Sequence, residues 1–194
     1  MTDAQLALDA LSDPELAPTE WEFARATILV AKYAKVSIST AESLTGGLLS
    51  ALLTSVPGAS EVFKGGVVAY ATEIKQQVLS VPSNLLRTGA VSTEVAIAMA
   101  TNVTQVMSSR FGLGCTGVAG PNPQDGRPVG EVHIAIFDAE TGASRSQTLM
   151  FTGSRDDIRS QTALAVLGLT LDVLVGLTDL SRTRTAQEQT INEQ

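Results

Sequence analysis

Thr40-Ala41-Glu42-Ser43-Leu44-Thr45-Gly46-Gly47 is the stretch that decides the fold, because it joins a β-like run, residues 36–39, to an apolar helical run, residues 48–56. A strand therefore ends here and a helix begins, which is where open α/β sheets bind their ligands. The start of a helix offers unpaired N–H groups that attract anions, and the glycines let a ligand approach the backbone closely. Alternatively, Thr45 is an ordinary helix N-cap and the glycines only permit a turn.

The composition describes one soluble globular domain. The chain has 194 residues, of which 44% are hydrophobic and 17% charged, enough for a full α/β core. The formal net charge of −7, without a basic patch, argues against a nucleic-acid partner. Polar residues interrupt the apolar stretches, and the N-terminus has no signal-peptide pattern, so we expect no membrane segment and a cytoplasmic location. A single cysteine, Cys115, excludes an internal disulfide framework.

Reactive side chains are scarce. The one histidine, His133, lies in the alternating run 131–136, which is typical of a half-buried strand. A Cys/His metal cluster is therefore excluded, carboxylates with metal-ligand spacing are not recognisable, and we expect no metal. We also do not expect a Ser-His-Asp triad, because its histidine would stand in mid-strand. A serine that needs a basic partner has few candidates among the lysines, which are Lys32, Lys35, Lys64 and Lys75.

The chain divides into a leader, residues 1–18, one domain, residues 19–177, and a polar tail, residues 178–194. The leader is acidic and either loosely held or a short surface helix, and a helix from about residue 19 uses Thr19 as its N-cap. Strands and helices alternate along the domain and end in a hairpin. This pattern predicts an α/β fold, a three-layer α/β/α sandwich with a mostly parallel mixed sheet of about five strands.

Three strand ends are predicted to meet at one edge of this sheet, at Ser43, Tyr70 and Thr116. Residues 65–70 are expected to form a buried strand ending at Tyr70, followed by a short helix, residues 73–79, with Lys75 in its first turn. A strand that begins near residue 112 opens into a glycine-rich loop. Residues 130–137 and 145–151 are predicted to form the hairpin, and residues 155–176 the last helix.

Several motifs occur together in a fixed order: Ala41-Glu42-Ser43-x-Thr45-Gly46-Gly47, Ser55-Val56-Pro57-Gly58-Ala59-Ser60, Gly66-Val67-Val68-Ala69-Tyr70 with Lys75, Gly89-Ala90-Val91-Ser92, Thr116-Gly117-Val118-Ala119-Gly120-Pro121, Pro128-Val129-Gly130 and Gly153-x-Arg155-x-x-Ile158-Arg159. Together they resemble the C-terminal domain of the competence/damage-inducible protein CinA, a family that includes the nicotinamide-nucleotide amidases known as PncC. The resemblance covers about residues 20–176. Longer family members carry an additional N-terminal domain, and we expect the stand-alone amidase form here.

The resemblance implies an α/β/α sandwich, typically a homodimer, that needs no metal or other cofactor. It implies hydrolysis of the carboxamide of nicotinamide mononucleotide to nicotinate mononucleotide and ammonia. Ser43 matches the family's nucleophile, and Tyr70 and Lys75 match its catalytic partners. Thr116 and Arg155 fall at positions associated with the site and its nucleotide substrate.

The chemistry of these side chains fits that reaction. A serine that attacks an amide needs a base, and Lys75 can serve only as a neutral amine, which requires burial or a neighbouring positive charge. Tyr70 would relay the proton or hold Lys75 in place. Backbone N–H groups around Thr45, Gly46 and Gly47 would stabilise the oxyanion. The substrate phosphate would bind the loop that contains Thr116, Gly117 and Gly120, together with Arg155.

Each assignment has a simpler alternative. Lys75 can be a solvated surface residue, Tyr70 a residue at the rim of the core, and Thr116 an ordinary strand residue. Arg155 can pair with a neighbouring aspartate while Arg159 serves the phosphate. Ser43 either forms an acyl-enzyme or orients an attacking water. The competing function is a non-catalytic nucleotide-binding or regulatory module associated with competence or the response to DNA damage.

Overall fold

A computed structural model describes residues 1–13 and 18–178. The helices and strands follow one another as α1 (Asp3–Leu11), α2 (Glu20–Ala34), β1 (Ile38–Glu42), α3 (Leu48–Thr54), β2 (Phe63–Val68), α4 (Thr72–Gln77), α5 (Ser83–Leu86), α6 (Thr93–Met107), β3 (Phe111–Gly117), β4 (Glu131–Asp138), β5 (Ser144–Met150) and α7 (Arg155–Gly176). Part of the predicted leader, residues 14–17, and the tail from residue 179 onward lie outside the described residues.

The five strands form one mixed sheet in the order β2-β1-β3-β4-β5. β1 pairs in parallel with β2 on one side and with β3 on the other, and β4 and β5 continue the sheet as an antiparallel hairpin. Helix α6 packs on one face of the sheet, and α2, α3 and α7 form the layer on the other face. The predicted α/β/α sandwich with a mixed sheet and a terminal hairpin is confirmed.

Local capping signals fix several helix starts. Thr19 is the N-cap of α2 in a capping box with Glu22, as predicted, and Ser154 and Asp157 form a second capping box at the start of α7. Helix α1 packs on α2 and buries Ala4 and Ala7. The two capping boxes thus begin α2 and α7 about one turn before their first buried residues, Ala24 and Ile158.

Helix α7 corrects one expectation about the apolar stretches. By length and composition alone this 22-residue helix could cross a membrane, although the sequence suggested that no stretch was long enough. Half of its most apolar window is buried inside the protein, against α2 and the β3–β4 part of the sheet. Its apolarity therefore serves the core of this domain.

Two strands differ from their predicted limits. β1 continues through residues 40–42, which the sequence analysis assigned to the turn, because these residues pair with both β2 and β3. β2 is an edge strand that ends at Val68, two residues before Tyr70, and alternates between half-buried and exposed positions. The prediction of a buried strand ending at Tyr70 is wrong, because β2 lies at the edge of the sheet and every second residue along it is exposed.

The carboxyl ends of the three parallel strands lie at the same edge of the sheet. In the register, Glu42 at the end of β1 lies beside Val68 of β2 and Cys115 of β3. The segments that contain Ser43, Tyr70 and Thr116 therefore meet there, as predicted. This edge carries the candidate site.

Candidate active site

Ser43 follows β1 directly and begins a tight turn. Its own N–H donates to the carbonyl of Cys115 (3.1 Å), and the N–H of Gly46 returns to the carbonyl of Ser43 (3.1 Å). Gly46 and Gly47 have φ angles of 62° and 99°, which glycine adopts without steric cost. The turn thus holds a serine at the edge of the sheet and leads the chain away into α3.

A buried carboxylate, that of Glu42, occupies the N-terminus of α3. It accepts hydrogen bonds from the N–H groups of Gly47 (2.9 Å), Leu49 (3.1 Å) and Ser50 (2.8 Å) and from the Ser50 hydroxyl (2.6 Å). The expectation that this helix start offers unpaired N–H groups to an anion is therefore wrong, because Glu42 has already satisfied them.

Thr45 is also not the N-cap of α3. The N-cap residue is Gly47, and the Thr45 hydroxyl is hydrogen-bonded to the thiol of Cys115 (3.2 Å). Burial raises the pKa of that thiol to about 12, so Cys115 is an inert core residue. The carbonyl of Thr45 accepts a hydrogen bond from the guanidinium of Arg159 (2.9 Å). The turn after Ser43 is therefore held by Glu42 on one side and by Arg159 on the other.

Lys75 points from α4 toward Ser43 and is only 1% exposed. Its Nζ lies 3.0 Å from Ser43 Oγ, 2.8 Å from the carbonyl oxygen of Ala69 and 3.2 Å from that of Tyr70. As an ammonium, Lys75 donates to all three oxygens. As a neutral amine, it donates to the two carbonyls and leaves its lone pair for the proton of the Ser43 hydroxyl. The alternative of a solvated surface lysine is therefore wrong.

Burial lowers the pKa of Lys75 to about 8. Three neighbours act in the opposite direction, Cys115 of β3, Asp125 of the loop after β3, and Glu73 of α4. Desolvation is the larger effect because the ammonium loses its hydration inside the protein. Near neutral pH, roughly a tenth of the lysine is therefore the neutral amine that can accept a proton.

Tyr70 contributes two groups in different places. Its backbone carbonyl is one of the acceptors around Lys75, whereas its side chain is 58% exposed and its phenol oxygen accepts a hydrogen bond from Arg155 (2.6 Å). The carbonyl of Tyr70 therefore contacts Lys75, whereas its phenol contacts Arg155, and a proton relay through the phenol stays a prediction.

The two arginines near the start of α7 make separate sets of contacts. Arg155 donates to the carbonyl of Gly120 (2.6 Å) as well as to the Tyr70 phenol, and so joins two walls of the site. Arg159 pairs with Asp156 (3.0 Å) and braces the turn after Ser43. The alternative in which Arg155 pairs with a neighbouring aspartate is wrong, because Asp156 pairs with Arg159 and the carboxylate of Asp157 caps α7.

Thr116 is buried in β3, and its hydroxyl donates to the carbonyl of Ala90 (2.7 Å). The N–H of the same Ala90 donates to the carboxylate of Asp125 (2.9 Å). The hydroxyl proton of Thr116 is thus engaged within the protein. Thr116 braces the segment before α6 and can offer a ligand only its oxygen as an acceptor.

One cavity of about 300 Å³ collects most of the predicted site residues. Its lining includes Ser43, Tyr70, Lys75, Thr116, Gly117, Gly120 and Arg155. Thr45, Gly46 and Gly47 are not part of this lining and form the turn behind it, where the N–H groups of Gly46 and Gly47 are already paired. The sequence-based assignment of these two N–H groups to the oxyanion is therefore wrong.

Comparison with known proteins identifies the family. Residues 22–174 match the family model described as the CinA C-terminal domain. The chain belongs to the CinA C-terminal domain family. The chain is 44% identical over 150 residues to a CinA-like protein of Frankia casuarinae, an alignment that covers 77% of this chain and 34% of that protein. It is 45% identical over 136 residues to a CinA-like protein of an Anaeromyxobacter species, an alignment that covers 68% of this chain and 32% of that protein. The chain thus spans about a third of the length of these relatives.

Solved structures of the CinA family share the fold. A CinA superfamily protein from Klebsiella pneumoniae matches with a TM-score of 0.78 and 26% identity, covering 82% of this chain and 99% of that one. The competence/damage inducible protein CihA from Agrobacterium tumefaciens matches with a TM-score of 0.73 and 34% identity, covering 84% of this chain and 98% of that one. Each aligns over nearly its whole length, so the sandwich described here is the CinA domain fold.

The CinA-type cavity also contains residues that the sequence analysis did not assign to the site. The additional polar ones are Thr72, Glu73, Asn122 and Gln124, and Ala90 and Val91 complete one wall. The sequence contained a signal for that wall, because the motif Gly89-Ala90-Val91-Ser92 is one of the ordered family motifs and had no role assigned to it. Asn122 and Gln124 had no such signal, because only the folded loop brings them to the cavity.

Proposed function

We propose that this chain is an amidohydrolase that converts nicotinamide mononucleotide to nicotinate mononucleotide and ammonia. The observation that carries the proposal is the contact between Ser43 Oγ and Lys75 Nζ (3.0 Å) inside a cavity. Burial that lowers the pKa of the lysine to about 8 supplies a base for a serine nucleophile. A protein that only binds a nucleotide has no need of this pair, and the family resemblance gives the substrate class.

In the first step, the neutral amine of Lys75 takes the proton of Ser43 as Oγ bonds to the carboxamide carbon. The C–N bond then breaks, and the Lys75 ammonium returns the proton to the departing nitrogen, which leaves as ammonia. Water next adds to the resulting ester with Lys75 as base, and the ester bond breaks to release the carboxylate and restore Ser43. Direct attack by a water that Ser43 orients, with Lys75 as base, gives the same products without the ester.

The oxyanion requires a donor close to the nucleophile. The N–H of Leu44 follows Ser43 directly, and Leu44 lines the cavity. Among the described residues this N–H has no hydrogen-bond partner. A backbone N–H just after the nucleophile is a common oxyanion donor, and we assign Leu44 to that role.

Arg155 is suited to the phosphate of the nucleotide. Its guanidinium lies on the cavity lining and presently donates to neutral oxygens, those of Gly120 and Tyr70. A phosphate carries more charge than either acceptor and accepts a guanidinium in a bidentate manner. This favours a nucleotide over a free carboxamide as the substrate.

The test is ammonia release from nicotinamide mononucleotide by the purified chain in the presence of a chelator. Ser43→Ala should lower the rate by about 10³-fold or more, and the matched control Ser55→Ala, at an exposed loop serine, should retain it. Nicotinamide and nicotinamide riboside, which lack the phosphate, should be poorer substrates.

Two results would contradict the proposal in different ways. Binding of nicotinamide mononucleotide by calorimetry without any ammonia release would favour the non-catalytic nucleotide-binding module. Equal turnover by Ser43→Ala and the wild type would retain the activity but exclude Ser43 as its nucleophile.

A further inference from the structure

A loop of residues 121–128, between β3 and β4, forms one wall of the cavity and brings Asn122 and Gln124 to its lining. The loop has internal structure, because the backbones of Gln124 and Arg127 hydrogen-bond to each other in both directions (3.1 and 2.8 Å). An ion pair between Arg127 and Glu131 (3.1 Å) ties its far end to β4. The loop is thus a formed turn whose tip approaches the rest of the site.

Asp125 makes the contact between this tip and the opposite wall. Its carboxylate accepts a hydrogen bond from the N–H of Ala90 (2.9 Å), although the two residues are 35 apart in the chain. Asp125 adopts a left-handed backbone conformation (φ 51°), which an aspartate tolerates better than most side chains. A Cβ on Gly89 would lie 3.0 Å from that of Asp125, so the glycine leaves the room that this approach needs.

Ala90, which Asp125 contacts, is also held by β3. Thr116 donates to the carbonyl of Ala90 (2.7 Å), while Asp125 accepts from its N–H. The peptide groups on both sides of Ala90 are therefore held between β3 and the loop, and Ala90 and Val91 face the cavity. Removing the carboxylate would release the loop tip but leave the bond from Thr116 in place.

We propose that Asp125 is a positioning residue, whose carboxylate fastens the 121–128 loop to Ala90 and so holds Asn122 and Gln124 against a nucleotide substrate beside Ser43 and Lys75. These two side chains offer amide donors and acceptors suited to the hydroxyls of a pentose. The role in substrate binding rests on the proposed amidase function. The fastening itself is a property of the fold.

The charge of Asp125 has a second effect, on Lys75. Burial is the main influence on the pKa of this lysine, and Cys115 of β3, Asp125 of the loop and Glu73 of α4 each act to raise it. A neutral amide at position 125 keeps an oxygen for the N–H of Ala90 but removes one of these opposing charges. The pKa of Lys75 should then fall further, and the neutral amine should form at lower pH.

The first measurement is amide hydrogen exchange at Ala90 in the full chain, followed by NMR, which needs no substrate. Asp125→Ala should accelerate this exchange while Asp125→Asn keeps it close to the wild-type rate, because the asparagine oxygen still accepts the hydrogen bond. Asp172→Asn, at an exposed position of α7, is the control for loss of one acidic charge and should change nothing. An unchanged Ala90 rate in Asp125→Ala would overturn the fastening.

The second measurement is steady-state kinetics with nicotinamide mononucleotide. Asp125→Ala should raise KM about tenfold, the size expected when a charge-assisted hydrogen bond is lost. Its kcat should be little changed at alkaline pH, where Lys75 is the neutral amine in both proteins. Asp125→Asn should retain KM and shift the pH midpoint of kcat/KM downward. A wild-type KM in Asp125→Ala would overturn the positioning role, and an unmoved midpoint in Asp125→Asn would overturn the charge effect on Lys75. If the wild-type chain releases no ammonia, the proposed function fails, while the exchange measurement still decides the fastening.

Discussion

The inner end of the cavity and its mouth are held together in different ways. At the inner end, Ser43 and Lys75 are 8% and 1% exposed, and Lys75 is fixed by the backbone carbonyls of Ala69 and Tyr70. At the mouth, Tyr70 and Arg155 are exposed, and one hydrogen bond joins their side chains. The groups assigned to chemistry are thus positioned by the backbone, whereas the groups assigned to recognition can change partners.

This difference has a kinetic consequence. The proposed base, Lys75, is buried and held by backbone carbonyls, so its loss should act on kcat. The guanidinium of Arg155 is exposed and donates to neutral oxygens, so changes at the mouth should act mainly on substrate binding and therefore on KM. Variants at the two ends therefore test whether the inner end contributes to catalysis and the mouth to substrate binding.

The largest effect is expected from Lys75→Met, which removes the proposed base and keeps a side chain of similar length. The rate of ammonia release at saturating nicotinamide mononucleotide should fall about 10²–10⁴-fold, the usual contribution of a general base. Binding of the substrate, measured by calorimetry, should change far less.

Lys64→Met is the matched control, because Lys64 is an exposed lysine of the edge strand β2. It removes the same charge from the same kind of side chain and should retain full activity. Comparable losses in both variants would mean that net charge, and not the contact with Ser43, causes the effect.

The next effect in size is the pH dependence. Burial lowers the pKa of Lys75 to about 8, and the proposed mechanism uses the neutral amine, so kcat/KM should rise about tenfold per pH unit below that value and level off above it. Between pH 6 and pH 8 the neutral fraction increases roughly fiftyfold. Initial rates across pH 6 to about 9.5 would check this, and a decline above the midpoint would indicate that the ammonium form is required.

Much of the fold could be predicted because its signals are local. The last helix was predicted at residues 155–176 and is observed at Arg155–Gly176, and the β4–β5 hairpin lies within a residue or two of its predicted limits. The exposure of β2 could not be predicted in this way. It depends on the strand order, and only the assembled sheet makes β2 an edge.

The site was predicted by resemblance more than by pattern. Nothing in the residues around Lys75 indicates that its Nζ is buried. Its acceptors are the backbone carbonyls of Ala69 and Tyr70, and only the folded segment between β2 and α4 turns them toward the lysine. The Glu42 carboxylate was quoted within the deciding stretch, yet its bonds to the N-terminus of α3 required the geometry of the turn. Asp125 and Ala90 meet across 35 residues, a pairing that no local pattern reports.

The smallest predicted effect separates the two groups of Tyr70. Tyr70→Phe removes the phenol oxygen that accepts from Arg155 but retains the carbonyl that holds Lys75. If the phenol only orients Arg155 at the mouth, KM for nicotinamide mononucleotide should rise about two- to fivefold, with kcat and its pH midpoint unchanged.

A proton relay through the phenol predicts a different result for the same variant. In that case kcat should fall by about 10² or more, since the path of the proton between Ser43 and Lys75 would be interrupted. The direct contact of 3.0 Å between these residues leaves no need for an intermediate group. Steady-state kinetics of Tyr70→Phe therefore decides whether Tyr70 acts at the inner end through its carbonyl alone, and whether the mouth contributes to chemistry at all.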